Sequence, residues 1–285
     1  MKVRENVPLA ERTTLRIGGP ARYFVEAGSV ADLVEALRFA RERGLPLLPL
    51  GKGSNLLVPD EGFPGMALVL SGDFLKIAID GTRVIAGGGA SLMSLAVQTK
   101  NAGLSGLENL SGIPSSIGGG IRINAGAYGS ELFDVLVTVD LVSRAGEHRA
   151  VAASEIPHGY RWTALMERDD FVVGGALELL AKPKDEVEAR FREVTEKRKN
   201  ALPKQPNAGS IFKNPPGQHA GKLLEACGLK GRQMGAAQVS PVHANVIVNL
   251  GGATARDVRA LMAEMQAAVR ERFAVELVPE VEVIG

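Results

Sequence analysis

Ser210 is the hydroxyl in this chain whose neighbours most suggest chemistry. It lies in QPNAGSIFKNPPG, Gln205 to Gly217, behind Asn207-Ala208-Gly209 and ahead of Phe212, Lys213 and Asn214. Pro203, Pro206, Pro215 and Pro216 fence the segment and predict an ordered loop, neither helix nor central strand. A surface turn is one reading, and a serine held ready for reaction is the other. A hydrolase nucleophile elbow needs Gly-x-Ser-x-Gly, and no serine here has both glycines. His148, His158, His219 or His243 could complete a triad, but no local signature selects one. The histidines are scattered without His-x-x-x-His or Cys-x-x-Cys spacing, so no metal site is expected.

Two glycine-bearing segments could receive a phosphate-rich ligand. In LPLGKGSNLLV an apolar run ends in Gly51-Lys52-Gly53-Ser54-Asn55, where bare backbone and short polar side chains suit a pyrophosphate or a plain turn. It is not a P-loop, since Pro46 stands five before Gly51 and Gly53 follows Lys52. It is not the dinucleotide fingerprint, since Leu56 replaces the third glycine. In SGIPSSIGGGIRINAGAYG, Gly112, Gly118, Gly119, Gly120, Gly126 and Gly129 make a loop-like stretch suited to backbone contact with a ligand. The alternative is a flexible linker. Against it, Ile113, Ile117, Ile121, Ile123 and Tyr128 would tie the segment to a core.

Two charged positions complete the candidates. Arg161 stands between Tyr160 and Trp162, and a guanidinium packed among aromatics suits a carboxylate or a developing anion, although surface cation-π packing has the same signature. In VELVPEVEVIG the alternation puts Glu280 on one face with Glu276 and Glu282, which by pattern is a solvent face.

These residues need a scaffold, and 285 residues with 45% hydrophobic content can supply two domains or a little more. With 33 Lys+Arg against 32 Asp+Glu there is no broad basic surface to support a nucleic-acid partner. The amino terminus has neither a signal-peptide core nor a membrane anchor, and no apolar run approaches bilayer-spanning length. The single Cys227 forms no internal disulfide and is expected on a buried helical face, so the cytoplasm fits best.

Ser29 to Gly44 predicts a helix with Leu33, Leu37 and Ala40 inward, followed by a buried strand in LPLLPLG. MALVLSG, LKIAID and RVIAGGG read as β runs, and Ser91 to Gly103 as a helix. VLVTVDLVS and FVVGGALELL resume strand character. DEVEARFREVTEKRKNAL is a charged helix whose Lys197-Arg198-Lys199 run is a solvated face. HAGKLLEACG, ANVIVNL, TARDVRALMAEMQAAVRERF and VELVPEVEVI then predict helix, strand, helix, strand. The proline-rich exit near Leu202 to Lys204 marks a boundary.

Taken together, TTLRIGGPARYFVEA, PLGKGSNLLV, SGIPSSIGGGIRINAGAYG, GYRW, NAGSIFKNP, AGKLLEACGLKG and LVPEVEVIG resemble, in order and end to end, the UDP-N-acetylenolpyruvoylglucosamine reductases. These flavin enzymes make UDP-N-acetylmuramate for bacterial peptidoglycan, and so serve cell shape and division. The resemblance implies an α+β architecture: a vanillyl-alcohol-oxidase (PCMH)-type FAD fold of two subdomains, residues 1–65 and 66–202, with an α/β substrate-binding domain at 203–285. It assigns non-covalent FAD to Gly51, Lys52, Gly53, Ser54, Asn55 and Leu56, to Gly112, Ile113, Pro114, Ser115, Ser116, Gly118 and Gly119, and to Asn124, Ala125 and Gly126. NADPH is the implied reductant and UDP-N-acetylglucosamine enolpyruvate the implied substrate.

By the same resemblance Ser210 delivers a proton to the carbanionic carbon, with Arg161 and Glu280 at the substrate carboxylate. Helping an anion would require Glu280 protonated, a form that burial beside substrate favours, contrary to the solvent-face pattern. Tyr160, Lys213, Asn214 and His243 match positions that contact the nucleotide sugar. The short span from Arg161 to Ser210 resembles the subgroup lacking an inserted tyrosine-bearing loop. Ser115-Ser116 departs from the more common Gly-Thr, and a positive φ at residue 115 would strain a serine. The rivals are an FAD-dependent sugar or alcohol oxidase of the same fold, which needs no Ser210, and a flavin or nucleotide-sugar binding protein without turnover.

Overall fold

The computed structural model describes residues 1–284; Gly285, the last residue of the final motif, lies outside the described residues. The chain divides into two units that do not follow sequence order. The first holds Met1–Arg4, Tyr23–Lys52 and Gly65–Arg198, and the second Glu5–Arg22, Gly53–Pro64 and Lys199–Gly285.

In the first unit, α1 (Val30–Glu42) begins where the Ser29 side chain accepts from the Asp32 N–H, and the chain leaves it through Gly44 at φ +59°. Its Leu33, Ala36, Leu37 and Ala40 pack with Val25, Met66 and Leu68 against a four-stranded sheet. The strand order is Val3–Pro8, Pro20–Ala27, Phe63–Leu70, Leu47–Pro49, the last two parallel, and of these strands residues 3–4, 23–27, 65–70 and 47–49 belong to the first unit. A second, antiparallel sheet runs His148–Ala152, Leu136–Val142, Phe171–Glu178, Arg83–Gly87, Ile77–Asp80. Its central strand, Phe171–Glu178, is buried at every position but the last. Val172 joins one apolar cluster while Phe171 and Val173 join the other, so this strand is covered on both faces.

The second cluster is filled by α2 (Leu92–Asn101), capped by Ser91, and by α3 (Ile117–Arg122). The segment expected to be loop-like therefore contains a helix built on Gly118, Gly119 and Gly120. Intrinsic propensity opposes this by about 1 kcal/mol per glycine relative to alanine. Tertiary packing overrides it, because Ile117 and Ile121 are fully buried and the glycines bring the helix against Phe171–Glu178. Tyr128, expected to anchor the segment, is 44% exposed instead. The charged helix α4 (Lys184–Ala201) closes the unit. Lys197 and Lys199 are exposed as a solvated face requires, but Arg198 is half-buried, which corrects the reading of that run.

The second unit is an antiparallel sheet in the order Asn207–Ser210, Val246–Asn249, Ala237–Val239, Gln233–Met234. It packs with α5 (Ala220–Ala226) and α6 (Ala255–Phe273) around one apolar cluster. α6 starts in a Thr254/Asp257 capping box, and the Asp60 carboxylate accepts from the Ala255 and Arg256 N–H groups at 2.7 and 3.2 Å. Cys227 is the C-cap of α5, half-buried and packed against that apolar cluster. The C-terminal segment is not the continuous strand its alternation predicts; only Glu282–Val283 is regular, parallel to Leu56–Leu57.

Candidate active site

A cleft of about 270 Å³ in the first unit is lined by Gly51 and Lys52 after the strand Leu47–Pro49 and by Ser116, Gly118 and Gly119 at the start of α3. Both glycine segments singled out in the sequence thus meet at one place. The cleft also uses Gly88 and Gly89, whose run in RVIAGGG read only as the close of a strand.

Bare backbone makes much of this wall. A Cβ on Gly88 would lie 2.4 Å from the Val172 carbonyl oxygen, one on Gly89 2.5 Å from that of Leu70, and one on Gly118 2.6 Å from that of Val172. Any side chain there would force strands and helix apart. The first α3 amides are committed to protein: Ile117 N–H donates to the Ala90 carbonyl at 2.9 Å, Gly118 to that of Gly88 at 2.8 Å, and Gly119 to Ser116 Oγ at 3.2 Å. What faces a ligand is apolar surface from Leu68, Leu70, Phe171 and Val172, exposed backbone at Gly51, and the Lys52 side chain at the solvent edge. Ser115 has no positive φ, and its hydroxyl donates to the Ser116 carbonyl at 2.8 Å, so the serine is unstrained.

Other residues assigned to the flavin stand outside this cleft. Asn124 is fully buried at φ +49°; its amide donates to Glu131 Oε2 at 2.6 Å and to the Gly159 carbonyl at 3.1 Å, and its oxygen accepts from Phe133 N–H at 3.2 Å. It braces the chain. Ala125 is buried, and the Gly126 carbonyl accepts from Arg161 Nη2. Ile113 packs on the core, Pro114 is exposed, and Gly112 is held at φ +81°. Gly53, Ser54, Asn55 and Leu56 belong to the second unit.

Arg161 itself adopts φ +53°, a left-handed conformation uncommon for arginine. Its guanidinium carbon lies 5.1 Å from the Tyr160 ring centroid, so the expected aromatic packing is present on the tyrosine side.

In the second unit, Ser210 ends an edge strand interrupted by one extra residue. Asn207 stands opposite Val248 and Ser210 opposite Val246, with Gly209 at φ +74° supplying the bulge and its N–H held by Asn207 Oδ1 at 2.9 Å. Asn207 and Ser210 therefore share a face. Beyond the serine, the buried Asn245 grips the chain: its carbonyl accepts from Ile211 N–H at 2.9 Å, its Oδ1 from Phe212 N–H at 3.0 Å, and its Nδ2 donates to the Phe212 carbonyl at 2.8 Å.

Residues 278–281 run alongside this segment. Lys213 N–H donates to the Val278 carbonyl and Glu280 N–H to that of Ile211, both at 2.8 Å, while the Asn55 side-chain amide donates to the Glu280 carbonyl at 2.9 Å. Ser210 and Glu280, far apart in sequence, are thereby brought into one structure. Glu280 is half-buried while Glu276 and Glu282 are exposed, so the shared solvent face predicted from alternation does not hold for it. Without a continuous strand the alternation has no face to define.

Asn214 Oδ1 accepts from the Ala220 N–H at 3.0 Å and so caps α5. The His243 ring is kept neutral by burial, aided by the Lys230 charge, both of which push its pKa down. Its Nδ1 accepts from Asn245 N–H at 3.2 Å, which leaves the ring proton on Nε2.

Residues 21–152 match the FAD binding domain family, and residues 201–284 match the UDP-N-acetylenolpyruvoylglucosamine reductase, C-terminal domain, family. The UDP-N-acetylenolpyruvoylglucosamine reductase 2 of Symbiobacterium thermophilum is 44% identical over 285 residues, covering 100% of this chain and 92% of the relative. The Bacillus licheniformis UDP-N-acetylenolpyruvoylglucosamine reductase is 40% identical over 286 residues, covering 100% and 94%. The crystal structure of the UDP-N-acetylenolpyruvylglucosamine reductase from Thermus caldophilus superposes with a TM-score of 0.88 at 38% identity, covering 100% of both chains. The cleft fits FAD: bare backbone admits a diphosphate closely, Lys52 offers a positive charge, and the apolar wall suits a flat ring system. The chain is thus an FAD-dependent oxidoreductase with a vanillyl-alcohol-oxidase-type flavin fold. Within that class it belongs to the UDP-N-acetylenolpyruvoylglucosamine reductase family.

Proposed function

We propose that the protein reduces the enolpyruvyl group of UDP-N-acetylglucosamine enolpyruvate, with NADPH as electron source, to give UDP-N-acetylmuramate for peptidoglycan synthesis in the cytoplasm. Beyond family membership, the observation that carries this is the pairing of Glu280 N–H with the Ile211 carbonyl at 2.8 Å, which sets an acidic side chain beside the strand end that presents Ser210.

Gly51, Lys52, Ser116, Gly118 and Gly119 would hold FAD, and the group would supply hydride transfer, with NADPH as donor and the terminal carbon of the enol ether as acceptor. Addition there places an electron pair on the carbon next to the substrate carboxylate, where it delocalises as an enolate. Arg161 and Glu280 stabilise that charge, the guanidinium by its positive charge and the carboxyl group as a hydrogen-bond donor. Ser210 gives its proton to the carbon, and the product gains one hydride and one proton across the former double bond. A serine hydroxyl is a weak acid, but a carbanion is basic enough to take its proton without a histidine partner.

Lys213 suits the diphosphate, and Tyr160 and Asn214 the sugar. His243, with its proton on Nε2, offers a donor to the same nucleotide sugar.

The test uses purified protein under anaerobic conditions. It should be yellow, NADPH should bleach the flavin, and the enolpyruvyl nucleotide sugar alone should restore the colour. Protein that bleaches but regains colour only with oxygen would be an oxidase-like flavoprotein, and the proposal would fail.

A further inference from the structure

Asn124 matches a flavin position by family resemblance, yet it is fully buried and spends its side chain inside the protein. Its amide donates to Glu131 Oε2 at 2.6 Å and to the Gly159 carbonyl at 3.1 Å, and its oxygen accepts from Phe133 N–H at 3.2 Å. Its backbone is left-handed at φ +49°. Asparagine enters that region more readily than most residues, and its short side chain both donates twice and accepts. Aspartate would keep the conformation and lose both donors.

The bond to Gly159 acts on the turn that follows it. His158 pairs with Thr163 and Gly159 with Trp162, so Tyr160 and Arg161 form a two-residue hairpin turn. Such turns favour positive φ at the first or at both central residues, which matches the twist of the flanking strands. Here only the second, Arg161, has it, at φ +53°. That pattern splays the strands, and a ladder of two residues a side is marginal by itself. The turn therefore has to be held from outside.

The segment that leaves α3 holds it at three points, one from every second residue. The Arg122 carbonyl accepts from Thr163 Oγ1 at 2.6 Å, the Asn124 amide reaches the Gly159 carbonyl, and the Gly126 carbonyl accepts from Arg161 Nη2. The His158 ring lies on Phe133 with centroids 4.3 Å apart, and the Phe133 N–H is itself held by Asn124. The anchors at residues 122 and 126 are backbone carbonyls that any residue would supply. The one at Asn124 depends on its side chain.

We propose that Asn124 is a positioning residue for the reduction: by pinning Gly159 it keeps Arg161 in its left-handed conformation, with the guanidinium aimed at the reacting end of the substrate. The inference rests on the role given to Arg161 above. Asn124 acts through the hairpin and touches neither substrate nor flavin.

The test follows the two half-reactions in stopped flow under anaerobic conditions. Asn124→Ala should leave flavin bleaching by NADPH within about twofold of wild type and slow reoxidation by UDP-N-acetylglucosamine enolpyruvate by about tenfold to a hundredfold, the cost of misplacing one group by about 1 Å. In an Arg161→Met background the same change should slow reoxidation further by less than about threefold, because the residue it positions is gone. A second variant, Asn124→Asp/Glu131→Gln, exchanges donor and acceptor between the two positions. It restores their mutual hydrogen bond and the acceptor for Phe133 N–H but offers the Gly159 carbonyl nothing. It should melt closer to wild type than Asn124→Ala and reoxidise as slowly, and it carries the test alone if Asn124→Ala does not fold. Equal slowing of both half-reactions, an undiminished effect in the Arg161→Met background, or wild-type reoxidation in the exchanged pair overturns the assignment of Asn124 and leaves the reductase reading intact. Arg161→Met protein that reoxidises as fast as wild type would remove the role of Arg161, and this inference with it.

Discussion

A Cβ added to Gly51 would lie 2.4 Å from Ser116 Oγ, the same oxygen that accepts the Gly119 N–H and caps α3. The loop that follows Leu47–Pro49 and the first turn of α3 are therefore fitted to one another through a single hydroxyl, at the edge of the cleft proposed for FAD.

Gly51→Ala should force that hydroxyl off its cap and narrow the cleft. We expect FAD affinity, read from quenching of flavin fluorescence, to fall by about tenfold. In a Ser116→Ala background the same change should cost less, with a coupling of about 1 kcal/mol in the double-mutant cycle. Strict additivity would show that the two positions do not meet.

Ser210→Ala should separate the two halves of the reaction. Flavin bleaching by NADPH in stopped flow should stay within about twofold of wild type, while reoxidation by the enolpyruvyl substrate should slow by roughly 10²–10⁴-fold, the range expected for losing a positioned proton donor. Equal losses in both halves would assign Ser210 to structure and not to proton transfer.

Asn245 touches no ligand in the proposed reaction, yet its side chain satisfies the buried backbone N–H and carbonyl of Phe212. Asn245→Ala leaves both without a partner and should lower unfolding stability by about 2–4 kcal/mol in urea titration. Replacement by Asp should retain the acceptor and lose the donor, giving a smaller loss. A change under about 0.5 kcal/mol for alanine would mean that water replaces both bonds.

His243 links folding to pH. Its folded pKa is depressed, so the unfolded chain binds the proton more readily. The associated stability is fully present above the unfolded value of about 6.5 and is lost as pH falls from there toward the folded pKa. Wild-type melting temperature should therefore drop more steeply between about pH 7.5 and about pH 5.5 than that of His243→Gln. Parallel curves would show that the ring titrates alike in both states.

Much of the scaffold was legible where local chemistry decides structure. Ser29 and Gly44 bound α1, and Ser91 and Gly103 bound α2, because a capping hydroxyl and a left-handed glycine act within one turn. The glycine segments pointed to the cleft for an equally local reason, since Gly51, Gly118 and Gly119 can present bare backbone. What escaped depends on partners distant in sequence. Nothing near Gly118-Gly119-Gly120 announces a helix, because its stability comes from Phe171–Glu178. Nothing in Lys197-Arg198-Lys199 says which cation turns inward, because Gly112 decides it. Alternation misplaces Glu280 because its N–H bond to the Ile211 carbonyl and the Asn55 side-chain amide donating to its own carbonyl, not a strand, hold its segment.

The extra residue at Gly209 gives the serine segment a parity. Across three peptide steps from Asn207 to Ser210 an unbroken strand would reverse the side-chain face, and the bulge restores it. The hydroxyl's aim is thus encoded by a count of residues as much as by their identity. Many substitutions between Asn207 and Ser210 could preserve that count, whereas straightening the bulge with all four residues kept would turn Ser210 toward the opposite side of the sheet.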